Sequence, residues 1–231
     1  MRLGGFIPVS LLDYPGKVAA VVFTQGCPFR CVYCHNPELI PSDRPGAIDE
    51  EEVISRLAVD RALLDGVCVT GGEPTSQPDL PAFLARIKAL GLAVKLDTNG
   101  MHPRMVASCL EAGLVDCLAM DLKHRWERYA DVIGEQAAAA VSRCRETFAL
   151  IQRSGIDHEF RTTTYPRLHT AEDLHEIASH LRPGERYFIQ PIRYGKTFVP
   201  DLERVPMDYA ETVASLQRAY PLLEIAVRGQ A

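Results

Sequence analysis

Six times in succession this chain runs a short apolar stretch into a polar turn and then into a segment of helical character. The stretches are 18–23, 66–70, 93–96, 115–120, 158–164 and 186–190. Helical segments are expected over about 48–60, 78–90, 103–112, 136–153, 171–181 and 207–218, with Leu80, Phe83, Leu84, Ile87 and Leu90 at helical spacing in the second. Strands alternating with helices dictate a parallel sheet with right-handed crossovers. Six units are too few to close the eight-stranded barrel. The expected fold is therefore α/β, an open partial (β/α)6 TIM-like barrel of parallel strands. The length of 231 residues suits one domain, with a lead-in over 1–17, a core over 18–192 and a C-terminal extension over 193–231. The lead-in reads as irregular, and its Asp13-Tyr14-Pro15-Gly16 is turn chemistry. It serves as a plain turn, as a lip beside the functional site or as a partner-docking element.

Polar residues fall at the ends of successive strands: Gly26-Cys27, Gly71-Gly72-Glu73, Asp97-Thr98-Asn99, Asp121 with Lys123, Arg161, and Gln190. In α/β barrels the C-terminal rim is where chemistry is built. The first strand delivers the densest group, Cys27, Cys31 and Cys34, spaced Cys-x3-Cys-x2-Cys and followed by His35-Asn36-Pro37. Cysteine thiolates are the normal ligands of iron–sulfur clusters. A four-iron cubane given three thiolates keeps one iron open to a small molecule. Zinc with His35 as fourth ligand is the rival reading, but structural zinc sites usually show a second, separated ligand pair, which is missing here. A disulfide framework fits poorly with seven cysteines and no secretion signal.

The cysteine spacing, with Tyr33 just before the last ligand, resembles the radical S-adenosylmethionine (SAM) superfamily. Asp13-Tyr14-Pro15-Gly16-Lys17 ahead of the strand and Cys34-His35-Asn36-Pro37 after it resemble one branch, the activating proteins of glycyl radical enzymes, in particular those of anaerobic ribonucleoside-triphosphate reductase. The resemblance implies the radical SAM fold, one [4Fe–4S] cluster on Cys27, Cys31 and Cys34, and SAM on its open iron. No cysteine stands between Cys34 and Cys68, so no further cluster is expected there. It also implies that Tyr33 reaches the adenine, unless Tyr33 is only a packing aromatic. Gly71, Gly72 and Glu73 would receive the SAM ammonium, with Glu73 as a charge-assisted acceptor. Lys123 would contact the ribose or carboxylate, or else pair with an acid. Arg161 would pair with the SAM carboxylate or a rim acid, and Gln190 stands where some family members place a histidine. His35 would stand behind the cluster ligands or face SAM, with Asn36 beside it and Asn99 on the same rim.

Asp97 and Asp121 end adjacent apolar strands, and two carboxylates buried together need a cation between them. By resemblance, that cation is monovalent and sits beside SAM. Cys68, Cys109, Cys117 and Cys144 read as core or structural thiols.

The implied activity is reductive cleavage of SAM, with the 5′-deoxyadenosyl radical taking a glycine Cα hydrogen from a partner enzyme. The implied partners are that glycyl radical enzyme and a low-potential electron donor such as flavodoxin or ferredoxin. A net charge of −5 without a basic run excludes nucleic acid as an expected partner, and no apolar run reaches a membrane span of about 20 residues. Reduced thiols suit a cytoplasmic protein. Three alternatives remain: an activator of the pyruvate formate-lyase type, a small-molecule enzyme similar to 7-carboxy-7-deazaguanine synthase, and a non-enzymatic zinc or redox-sensing protein.

Overall fold

The computed structural model describes residues 1–134 and 137–229, apart from the side chains of 137 and 138. One eight-stranded sheet runs in sequence order: β1 (Leu3–Ser10), β2 (Ala19–Thr24), β3 (Gly66–Gly71), β4 (Ala93–Thr98), β5 (Cys117–Asp121), β6 (Asp157–Thr164), β7 (Arg186–Pro191) and β8 (Glu224–Val227). From β2 to β8 every pairing is parallel. Between the strands lie α1 (Glu50–Asp60), α2 (Leu80–Ala89), α3 (Pro103–Glu111), α4 (Tyr129–Ile133), α5 (Ala137–Ser154), α6 (Ala171–Ser179) and α7 (Tyr209–Ala219). The expected helix start at Gln136 lies outside the described residues.

Local chemistry explains the helix starts. Asp49 caps α1 by accepting from the Glu51 and Glu52 amides, and the acids at 50–52 meet the positive end of the helix. Thr170 and Asp173 cap each other's backbone at α6, while α3 opens on Pro103.

The sheet differs from the expected one at both edges. Residues 1–17 are not wholly irregular: β1 pairs antiparallel with β2, from Leu3 opposite Thr24 to Ser10 opposite Ala19. Its Pro8 is tolerated because β1 is an edge strand. At the other edge, β8 adds a seventh parallel strand, so six strand–helix units understate the sheet by one.

The sheet curves. Neighbouring strands lie about 4.8 Å apart, yet side chains from strands two apart meet on one face. Arg161 of β6 reaches Asp97 of β4 at 3.0 Å, and Lys95 of β4 comes within 3.9 Å of Glu159 of β6. A concave face brings such side chains together. Its N-terminal mouth is filled by Tyr14, which packs against Ala19 and Cys117 at the starts of β2 and β5. A methyl added at Gly66 would stand 3.1 Å from the Tyr14 ring. The Asp13–Gly16 turn is thus a floor plug at the end opposite the cysteines, and the lip reading is corrected. Tyr14 is 3% exposed. Tyr14→Ala should cost about 3 kcal/mol in urea unfolding, as buried aromatic truncations do, without changing the rim at the far end.

Among the described residues, no helix is long and apolar enough to cross a membrane.

Candidate active site

At the C-terminal rim one cavity gathers Cys27, Cys31, Tyr33, Cys34, His35 and Asn36 from the loop after β2. Facing them are Gly71, Gly72 and Glu73 after β3, Asp97, Thr98 and Asn99 at the end of β4, Asp121 and Lys123 after β5, and Arg161 and Thr163 of β6. Of the rim residues expected from the sequence, Gly26 and Gln190 do not line the cavity. Gln190 stands opposite Thr163 on β7.

The cysteine loop is held by its backbone on both sides. Gly26 and Cys27 donate to the Leu39 and Ile40 carbonyls at 2.8 and 3.0 Å. Arg30 and Val32 donate to Ile133 and Val132, and Phe198 and Val199 donate to Cys34 and Val32. Two buried amides complete the frame. Gln25 Nε2 donates to the Glu38 and Pro41 carbonyls, and Gln77 Nε2 donates to the Gln25 and Arg2 carbonyls. Neither was singled out from sequence, where a glutamine beside a turn carries no signal.

The glycines serve this frame. Gly71 has φ of 111°, and a Cβ there would meet the Thr24 amide nitrogen at 2.3 Å. At Gly72 a Cβ would meet the Gly26 oxygen at 2.3 Å and the Leu39 oxygen at 2.9 Å. Their small size lets the end of β3 lie directly under the cysteine loop, with Glu73 N–H donating to Gly26 O at 2.8 Å. Gly72→Ala must therefore push the loop away. A strain cost of about 1–3 kcal/mol is expected, with weaker SAM binding seen by equilibrium dialysis.

Glu73 is buried, and its carboxylate accepts four hydrogen bonds, three of them on one oxygen. One oxygen accepts from the Thr75 amide at 3.1 Å, from the Thr75 hydroxyl and from the Thr98 hydroxyl at 2.7 Å; the other accepts from the Asn99 amide at 2.7 Å. A carboxylate offers about four such positions. Glu73 thus braces β3 against β4, while its second oxygen, with a single donor, is not filled. Burial raises its pKa, against the pull of those donors.

The acids at the rim carry their own counter-charges. Arg161 bridges them, with Nη1 at 3.0 Å from Asp97 and Nε at 3.0 Å from Asp121. Lys95 pairs with Asp97, and Lys123 Nζ donates to Asp121 at 2.9 Å. Burial would raise both aspartates, but the Arg161 charge, aided by Lys95 and Lys123 respectively, outweighs it and holds both below the usual carboxylate range. A monovalent cation between Asp97 and Asp121 does not fit here, since a guanidinium spans that space. Arg161 does this from within β6, three residues before its end, and not from the strand end as expected.

Beneath this layer the concave face stays charged. Glu159, fully buried, accepts from Arg228 Nη1 at 2.7 Å, and the Arg228 guanidinium lies 3.4 Å from the Phe188 ring centroid. One Glu159 oxygen has no partner among the described residues. Neither Lys95 nor Glu159 was singled out from sequence, although a charged residue inside an apolar strand was the available signal.

Lys123 is fixed from behind. Its amide donates to the Tyr129 hydroxyl at 3.2 Å, and its carbonyl lies 2.8 Å from His169 Nε2 and 3.5 Å from the Tyr33 hydroxyl. Tyr33 is buried, so it packs and lines the cavity at once. His35 Nε2 contacts the Arg193 backbone, 3.0 Å from its oxygen and 3.2 Å from its nitrogen. Burial holds the His35 pKa below its ordinary value.

The three rim thiols fit an iron–sulfur cluster better than a single ion. They line one cavity, but no three His, Cys, Asp or Glu side chains among the described residues converge closely enough to hold one metal. The Phe29 amide donates to Cys27 Sγ at 3.4 Å and the Asn99 amide group lies 3.7 Å from it, both suited to a cluster-bound thiolate. Without metal, burial first and the Glu73 charge second push Cys27 up to about 12, and burial pushes Cys31 up to about 11. Loading must then release protons.

The radical SAM superfamily is the family whose pattern matches, over residues 21–181. A Methanocaldococcus jannaschii protein whose name reads "putative glycyl-radical enzyme activating enzyme" is 30% identical over 208 residues, covering 89% of this chain and 85% of its own. The pyruvate formate-lyase-activating enzyme of Clostridium pasteurianum is 32% identical over 128 residues, 53% of this chain and 52% of that one. Among solved structures, SuiB of Streptococcus suis bound to S-adenosylmethionine superposes with a TM-score of 0.66 at 14% identity. That match covers 89% of this chain, which spans about half of SuiB, 48%. Native anSMEcpe with bound AdoMet gives 0.64 at 14% identity over 88% of this chain and 61% of that one. Likeness at this identity concerns the fold.

Proposed function

Since the chain belongs to the radical SAM superfamily and is an enzyme, we propose that it activates a glycyl radical enzyme, and that its partner is an anaerobic ribonucleoside-triphosphate reductase. Likeness to an activating enzyme along nearly the whole of both chains carries the activase reading. The choice of reductase rests on the loop around Cys34-His35-Asn36-Pro37 and the Asp13–Lys17 segment. A pyruvate formate-lyase partner is favoured by the shorter match to its activating enzymes.

The family's cofactors are a [4Fe–4S] cluster and SAM. Cys27, Cys31 and Cys34 would hold the cluster, which when reduced supplies the one electron that cleaves SAM to methionine and a 5′-deoxyadenosyl radical. Asn99 and the Phe29 amide temper the charge on Cys27. Lys123 and Arg161, anchored on Asp121 and Asp97, present cationic groups to the cavity, suited to the SAM carboxylate. The Gly71-Gly72 backbone and Tyr33 close the wall against water. No side chain need move a proton, because the work is positioning. A backbone glycine of the partner would approach from the rim.

The test is anaerobic reconstitution with iron, sulfide, SAM and reductant, followed by EPR on mixtures with each candidate enzyme. A glycyl doublet with the reductase alone is expected. A doublet only with pyruvate formate-lyase would transfer the assignment. Deoxyadenosine formed without a protein radical would favour a small-molecule substrate.

A further inference from the structure

We propose that the groove outside the Asn99–Met101 wall is the docking surface of an acidic one-electron carrier protein, and that electrons enter the site on its Cys27 side. The inference rests on the radical SAM reading and adds where the reductant binds.

The groove is lined by Thr75, Met101, His102, Arg104, Arg143 and Glu146, among others. It backs directly onto the site. Met101 N–H donates to Asn99 Oδ1 at 3.0 Å, and the Asn99 amide group lies 3.7 Å from Cys27 Sγ. Consecutive Cα atoms are about 3.8 Å apart, so the Met101 Cα lies within about 8 Å of the Asn99 Cα. Thr75, in the same lining, donates to Glu73 on the inner wall. The route from groove to thiol is thus one side chain thick.

Net charge is −5, and several guanidiniums on the rim are taken up by acids: Arg125 by Asp173 and Glu176, Arg128 by Asp131 and Asp173, Arg167 by Glu203. Arg104 and Arg143 are exposed and have no carboxylate partner among the described residues. Glu146, in the same lining, makes no ion pair among them either. Burial, and next the charge of Arg143, lower the His102 pKa. On the other flank of Cys27, exposed Arg30 donates to the Cys27 and Phe29 carbonyls at 3.0 and 3.2 Å. Cationic groups therefore flank the one cysteine that meets this wall. An acidic protein surface complements them, and such complementarity speeds encounter and makes it salt-dependent. The transfer is one electron from carrier to cluster, with no bond made or broken.

The probe is an acidic flavodoxin, titrated in its oxidised form into the cluster-loaded full chain in a calorimeter at low salt and at about 0.5 M salt, where the screening length is only a few ångströms. Arg104→Glu with Arg143→Glu is expected to weaken binding about tenfold or more at low salt and to flatten its salt dependence. Arg167→Glu, elsewhere on the rim, should leave the affinity unchanged. Reduction by flavodoxin hydroquinone should slow in the double variant, while SAM cleavage driven by photoreduced deazaflavin stays at the wild-type rate. Unchanged flavodoxin affinity in the double variant, or no binding by the wild type, overturns the docking surface. So does an equal loss with deazaflavin, which would mean damage to the site itself. Wild-type protein that makes no deoxyadenosine with deazaflavin would instead strike the activity.

Discussion

Cys31→Ala protein, reconstituted anaerobically, should produce no detectable 5′-deoxyadenosine from SAM and dithionite while its melting and far-UV CD stay close to wild type. Cys31 supplies one of three thiols to the rim cavity, and no His, Cys, Asp or Glu cluster among the described residues offers a substitute metal site. Two thiolates leave two corners of a four-iron cubane without protein ligands. The fold does not depend on the sulfur, because backbone bonds from Arg30, Val32, Cys34, Phe198 and Val199 hold the loop. Trimming one small buried side chain costs about 1 kcal/mol. Wild-type deoxyadenosine yield from this variant would remove Cys31 from the site and with it the cluster assignment.

Arg161→Met has the largest expected effect on stability. It leaves Asp97 and Asp121 beside each other with only Lys95 and Lys123 to compensate, and takes a cation from 3.9 Å beside buried Glu159. Removing one partner of a buried ion pair costs about 3–5 kcal/mol, read as a lower urea midpoint at pH 7. The pH dependence follows from the depressed aspartates. A carboxylate with a lowered folded-state pKa contributes stability that is complete above its unfolded value of about 4 and is lost as pH falls through the folded value. The wild type should keep this contribution down to about pH 4. In the variant the aspartates protonate at higher pH, so the gap to wild type should narrow on acidification toward about pH 4. A gap that stayed constant from pH 7 to 4 would show that Arg161 acts by packing alone.

The strand–helix alternation and the rim were legible because each depends on local pattern. Short apolar runs followed by Gly71-Gly72, Asp97-Thr98-Asn99 or Asp121 mark strand ends wherever the tertiary structure takes them. The edges of the sheet were not legible. Gly4, Gly5 and Pro8 disguise β1, since what makes it a strand is the neighbouring β2. The run at 222–227 was read only as an apolar end, and β8 needs β7 beside it. Side-chain partnerships were also hidden. Burial of Asp97 and Asp121 was anticipated along with the need for positive charge, and pairing of Arg161 or Lys123 with a rim acid was among the readings, but sequence could not say that Arg161 bridges both acids, 64 and 40 positions away. For Glu73 the acid was visible, and the four donors that brace it were not. The place of Tyr14 stayed open between a plain turn and a lip because a turn motif says nothing about which mouth of a barrel it faces.

The Arg228–Glu159 contact has a consequence for biosynthesis. Glu159 enters the concave face with β6, and its nearest cation follows 69 positions later. A growing polypeptide that had docked β2 to β7 would still hold a buried anion short of its 2.7 Å counterpart until translation passed Arg228. Maturation of the pocket above it is then tied to the late-made strand, and a nascent intermediate stalled before that point would be a poor vessel for an air-sensitive metal cofactor.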